Sequence, residues 1–292
     1  MKKNSLSRNL FLTFDVLVMS AFAIVCLYPM VYVVLASFSD SGALMAHEGL
    51  LLKPLDFNFG AYKAVAKNPN ILNGYKNTMF VLIVGLIVNL FMTSLAAYFL
   101  SRKNVMFKKP IMIMMIVTMY FNGGMIPTYL NVKDLGLYDS LWALIIPGAI
   151  STYNMIIMRT NFESIPESLE EAAFLDGATH MQILWHVILP LSKAVMAVMV
   201  LYYGVAHWNS WFNAAIYLQD TRKHPLQLVL RGILIQNDTA SMGESGNMVD
   251  AQSIGESIKY AIIVVATVPI LVVYPLIQKY FAKGVMIGAV KG

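Results

Sequence analysis

Six stretches of the chain, built mostly of hydrocarbon side chains with few or no charges, limit what it can fold into. They run Leu10 to Ser37, Asn77 to Leu100, Pro110 to Ile126, Ser140 to Met158, Val187 to Ala206 and Lys259 to Tyr280. A helix needs about 20 predominantly apolar residues to cross some 30 Å of hydrocarbon, so each stretch matches one bilayer crossing. Barrel strands are about half as long and alternate apolar with polar residues. These runs do not alternate, so helices that satisfy their own backbone hydrogen bonds are expected. Composition agrees: 58% of the 292 residues are apolar and 13% charged, too little charge to cover a water-facing surface. That balance disfavours a disordered tail and a nucleic-acid-binding domain despite the net charge of +5. The one cysteine, Cys26, cannot pair within the chain and is expected to be a small buried hydrophobe. The 20 methionines read as helix packing, not as metal ligands. The expected fold is an all-α polytopic membrane protein, residues 1–292 forming one transmembrane domain.

Met1-Lys2-Lys3 and Arg8 before an apolar run resemble the start of a signal peptide. The run continues past Leu35, well beyond a 7 to 15 residue signal core, so it reads as a permanent first span. Orientation follows from the short connection Ser101 to Lys109, which packs four basic residues into nine positions. Short basic loops face the cytosol. Both termini, the loop 159–186 and the tail 281–292 are then cytosolic, while the long loops 38–76 and 207–258 are external. In the first of these, Phe57-Asn58-Phe59 and Tyr62 form either a docking surface or a lid. The spans carry almost no charge beyond Asp15, Lys193 and Lys259 near their ends, so no ion relay is visible. No phosphate-binding loop of the G-x-x-x-x-G-K-[ST] type occurs, so the chain is not itself a nucleotide hydrolase of that kind.

Between the fourth and fifth spans lie about 30 residues that are too polar for lipid and patterned as two short helices. Ser164 with Glu167 fits a capping box, with Pro166 near the first helical position, and Thr179 with Gln182 fits a second. Asp176-Gly177 makes a sharp corner between them, because glycine adopts the left-handed conformation that ends a helix. Ala172 and Ala173 are small enough for another surface to approach closely, and Glu170 and Glu171 supply charge beside them. Taken alone, this pattern also fits a capped helix pair that merely joins two spans.

The spacing resembles the cytosolic signature of binding-protein-dependent ABC importer permeases: E-A-A, three residues, G, nine residues, then I-x-L-P. Here the matching residues are Glu171-Ala172-Ala173, Gly177 and Val187-Ile188-Leu189-Pro190, with Val187 the one conservative departure. The fuller sugar-permease form is present through Asp176 and Ala178. Asn77-Thr78, Leu95-Ala96-Ala97-Tyr98, Ser101-Arg102, Trp208-Asn209 and the tail Gly284 to Gly292 extend the likeness over most of the chain.

The resemblance implies a type I ABC importer permease fold with a cytosolic coupling helix, in a bacterial plasma membrane. Glu170, Glu171, Ala172, Ala173, Asp176, Gly177 and Ala178 would couple this chain to a separate ATPase dimer, which binds the ATP and Mg. The chain itself would hold no cofactor or metal and perform no catalysis. A second homologous permease and an extracellular solute-binding protein would complete the assembly. The tail is similar to that of maltose-type permeases, so Gly288, Ala289, Val290, Lys291 and Gly292 would reach between the ATPases. Ile216-Tyr217-Leu218 with Pro225-Leu226-Gln227 looks closest to the LplC- or YtcP-like branch, which implies an oligosaccharide or polysaccharide cargo. Aromatic and amide groups suited to sugars, Tyr120, Asn122, Asn154, Trp208, Asn209 and Trp211, are the pathway candidates. The rival class, an ion-gradient-driven transporter or channel, would require charged relay residues in the spans.

Overall fold

A computed structural model describes residues 6–103, 105–236 and 256–272, together with Pro275. Among these residues the chain is helical and contains no strand. The chain divides into two units, one drawn from residues up to Asn68 and from Gly232–Pro269, the other from Pro69–Arg231 and from Ile270 onward.

In the first unit, α1 (Leu6–Ser37) leads to α2 (Ser41–Ala46) and α3 (Gly60–Lys67). The end of α1 packs with Leu44 and Leu51 into a small core that also takes in Tyr260. Ser257 ties this corner together: its hydroxyl donates to the Ser39 carbonyl at 2.7 Å and accepts from the Ser41 hydroxyl at 2.8 Å. Phe57, Phe59 and Tyr62 close on Phe38 as an aromatic knot, with ring centroids 4.9 to 5.6 Å from that of Phe38. Cys26 is exposed, contrary to expectation. It lies on a part of α1 whose side chains are exposed on every face within this chain.

The second unit is organised by α4 (Pro69–Ser101), which starts eight residues before the expected Asn77. Gly74, Thr78, Val81, Gly85, Asn89, Thr93 and Ala97 form a buried stripe of mostly small residues along it. Small side chains let helices approach closely, the chief route to tight packing in lipid. Against α4 lie α7 (Thr152–Glu163) and α11 (Lys193–Trp208), and Met155, Met158, Phe162 and Met199 are fully buried between them.

The expected spans are not all single helices. Leu10–Ser37 and Pro69–Ser101 are long and apolar enough to cross a bilayer unbroken. The third stretch stops at Tyr120, where α5 (Lys108–Tyr120) ends, and resumes at a 117° angle as α6 (Met125–Asp134). Gly124 has φ +93° there, and its N–H is held by the Asn122 side chain at 2.9 Å. The fourth stretch, expected as one helix from Ser140 to Met158, is a short 3-10 turn at Leu141–Leu144 followed by bends through Pro147 and Gly148 until α7 begins. Proline supplies no N–H and glycine no restraint on φ, so the helix cannot run through. The fifth stretch also breaks. After α8 (Glu167–Leu175) and α9 (His180–Ile183), a π turn at Leu184–Ile188 and α10 (Leu189–Leu191) carrying Pro190 meet α11 at 87°. The chain continues through α12 (Phe212–Tyr217) to α13 (Leu226–Gln236), and the described part of the sixth stretch, α14, is helical over 256–272.

Candidate functional site

The loop after α7 makes an elbow whose two faces differ. The capping box expected at Ser164 does not form. Ser164 stays in the helical region, and its hydroxyl closes the end of α7 by donating to the Asn161 carbonyl at 2.7 Å. Pro166 therefore takes the N-cap place of α8 without a side-chain cap. The second box is present: the Gln182 side chain accepts from the Thr179 N–H at 2.8 Å while the Thr179 hydroxyl caps Gln182. Gly177 turns the corner at φ +82°, and the Ala178 N–H reaches back to the Ala173 carbonyl at 3.0 Å.

The inner face of α8 is fixed by charge. Glu170 and Glu167 on α8, and Glu163 at the end of α7 before it, are met by four cations: Arg102 and Lys103 after α4, Lys108 at the start of α5 and Arg159 on α7 itself. Arg102 pairs with Glu170, which is buried, and also donates to the Phe162 carbonyl at 3.2 Å. Arg159 and Lys108 share Glu163 at 2.6 and 3.3 Å, and Lys103 takes Glu167. Burial pulls the Arg102 guanidinium down from its ordinary value, whereas the Lys103 ammonium is raised by its hydrogen bond to Glu167. Glu170, expected to offer its charge to a docked surface, is turned inward, because an ion taken out of water needs a partner and Arg102 supplies one. Ala173 and Ala178 also lean inward against the core. A T-shaped contact of Phe174 with His180, centroids 4.9 Å apart, joins the two short helices.

The outer face carries Glu171, Ala172, Asp176 and Gly177, all exposed. Leu175 beside them is 89% exposed. A hollow of about 300 Å³ opens next to the corner, lined by Gly177, Gln182 and His186 among others. Leu175 escaped sequence reasoning because a leucine on a helix ordinarily reads as core.

A second feature missed from sequence is a polar seam between α4, α11 and the broken fourth stretch. The Asn89 amide donates to the Gly148 and Ala149 carbonyls at 2.7 and 3.0 Å. Its oxygen therefore faces His207 Nε2, 2.7 Å away, and that nitrogen carries the proton. Tyr203 accepts from the Ser151 N–H at 3.0 Å and shares a 2.7 Å bond with Thr93. Broken backbone at membrane depth must find such partners. The available signal was Asn89 and Thr93, two polar residues four apart within an apolar run.

The pathway candidates fall in three places. Tyr120 and Asn122 are exposed at the break between α5 and α6. Asn154 is buried on α7. Trp208 is buried at the end of α11 with no partner for its indole N–H among the described residues, Asn209 follows it exposed, and Trp211 lies under Arg231. Gly288, Ala289, Val290, Lys291 and Gly292 lie outside the described residues.

At the far end of α4 from the elbow, Asn77 donates to the Arg222 and His224 carbonyls, and the Thr78 hydroxyl accepts from the Leu226 N–H at 2.9 Å. Asp139 bonds Lys223 at 2.7 Å and the N–H groups of Gln219 and Asp220, which hold its carboxyl down at about 2.

Fold and elbow together define a membrane-embedded, all-helical subunit of the type I importer kind, with no catalytic role of its own. The profile of the family described as binding-protein-dependent transport system inner membrane component matches residues 1–287, and the chain belongs to that family. It is 42% identical over 287 residues to the polygalacturonan/rhamnogalacturonan transport system permease protein YtcP of Bacillus subtilis, covering 96% of this chain and 98% of that one. To Protein LplC of the same organism it is 41% identical over 290 residues, covering 99% and 97%. Among solved structures, a bacterial ABC transporter involved in the import of the acidic polysaccharide alginate includes a chain similar at a TM-score of 0.88 and 34% identity, covering 96% of this chain and all of that one.

Proposed function

We propose that this chain moves an oligosaccharide or polysaccharide fragment across the bacterial plasma membrane, driven by ATP hydrolysis on separate subunits. The observation that carries the reading is the two-faced elbow: Glu170 and Glu167 tie one side of α8 by ion pairs to Arg102 and Lys103 just past the end of α4, while its outer side leaves Leu175, Asp176 and Gly177 bare. Such a part transmits displacement. An ATPase that grips the bare side and moves would drag the attached helices between two packings of the bundle. ATP with its Mg acts there as a ligand that favours one of the two states.

The remaining parts follow the family pattern. A second permease completes the pathway, an extracellular solute-binding protein delivers cargo, and the tail 288–292 inserts between the ATPases. We take the chain to cross the membrane six times with both termini cytosolic; the bends in the third to fifth stretches fit crossings that line a route and need not be straight. The saccharide cargo is supported by the names of the similar proteins, two of which carry uronate polymers, polygalacturonan and alginate. Co-purification tests the assembly: affinity capture of this chain should bring an ATPase and a second permease in fixed proportion. Recovery as a stable homo-oligomer without an ATPase would refute it.

A further inference from the structure

We propose that Arg231, held over the indole of Trp211, is a carboxylate-reading position for the cargo, which is then a saccharide containing uronate units. This rests on the importer reading above and deepens it. The guanidinium carbon lies 3.7 Å from the Trp211 ring centroid, and Phe212 meets the same indole edge-on at 5.5 Å. Arg231 is exposed and Trp211 half-buried, so the pair presents the cation and backs it with the ring.

Among the described residues several cations lack an ion pair, and of these Arg231 is the one seated over an aromatic ring. Nearby, Arg222 is neutralised by Asp220 at 2.9 Å and Lys223 by Asp139 at 2.7 Å, whereas Arg231 has no acidic partner among the described residues. Its base is also fixed. Thr78 holds the Leu226 N–H, and Gly74 lets the start of α13 approach so closely that a Cβ there would sit 3.1 Å from Leu226 Cα. Arg231 thus projects little more than one turn beyond a pinned helix start, which reduces the ordering a ligand would otherwise have to supply.

A guanidinium held by its face keeps its in-plane N–H donors for a ligand, and their fork matches the two oxygens of a carboxylate. A uronate unit offers what the exposed guanidinium can use: a carboxylate at one edge of the sugar ring. A neutral sugar would leave the cation without a counter-charge.

The test uses the whole assembly, receptor included, in cells supplied with labelled trigalacturonate or its trimethyl ester. Arg231→Gln should lower uptake of the acid about tenfold and leave uptake of the ester within twofold. Arg231→Lys, which keeps the charge but loses the fork and the stacking on the indole, should give acid uptake between that of wild type and that of Arg231→Gln, and this order decides the matter if the receptor excludes the ester. Equal loss for both probes, as for a guanidinium that only anchors a lipid phosphate, or no loss of acid uptake in Arg231→Gln, overturns the assignment. Failure of the wild-type assembly to take up either probe while it hydrolyses ATP would also overturn the uronate assignment, and failure with neutral oligosaccharides as well would overturn the saccharide reading beneath it.

Discussion

Position 85 is a glycine because His207 occupies the place of a side chain: a Cβ there would lie 2.6 Å from Nε2. Gly85→Ala should push the imidazole away from Asn89 and leave a buried polar pair unmade, at a cost of about 1–3 kcal/mol. Thermal unfolding of the assembled importer in lipid nanodiscs would read this, and in a His207→Ala background the same change should cost almost nothing. Arg102 and Glu170 obey a different rule. Replacing either one alone, by Arg102→Met or Glu170→Met, strips a buried group of its partner and should cost about 3–5 kcal/mol. The double replacement Arg102→Met with Glu170→Met should cost less than either, since no charge is then stranded. A strictly additive double variant in the same melting measurement would count against a buried pair.

At the scale of elements, the elbow and the opposite end of α4 make separate predictions. Gly177 holds φ +82°, which costs a β-branched residue about 1–2 kcal/mol locally. Gly177→Val should therefore leave assembly intact and lower uptake at least tenfold, because the corner that presents Leu175 and Asp176 no longer keeps its shape. Full uptake in that variant would contradict the coupling role. At the other end, Asp139 has its carboxyl held at about 2, below the ordinary 3.8. Its contribution is complete above 3.8 and is lost as pH falls from there through about 2. Wild type should lose more thermal stability than Asp139→Asn between pH 5 and pH 2.5, with equal stability changes above pH 5. Much of this was legible in the chain. The Thr179 capping box, the Asp176-Gly177 corner and the helical class are local matters that neighbouring residues decide. The breaks were not, since hydrocarbon content measures length and is blind to partners: Gly148 can leave the helix because Asn89, about 60 residues away, donates to its carbonyl. The ion pairs around the elbow were hidden for the same reason. Lys103 and Lys108 read as a topology signal until the fold brings Glu163 and Glu167 across from another helix end.

For the molecule as a whole, orientation is the strongest open test of the six-crossing proposal. With Cys26 replaced by serine, single cysteines at 105 and at 221 should be labelled by an impermeant maleimide from opposite sides of intact cells, the first only after permeabilisation. Labelling of both from outside would overturn the topology. The bareness of α1 has a practical corollary. From Leu10 to Leu35 it has no buried position within this chain, so after extraction a detergent belt must wrap whatever of that helix a partner subunit leaves open. Melting points taken in micelles would then report partly on how well the surfactant clothes one rod, and short-chain surfactants should depress them even for variants whose interior is untouched.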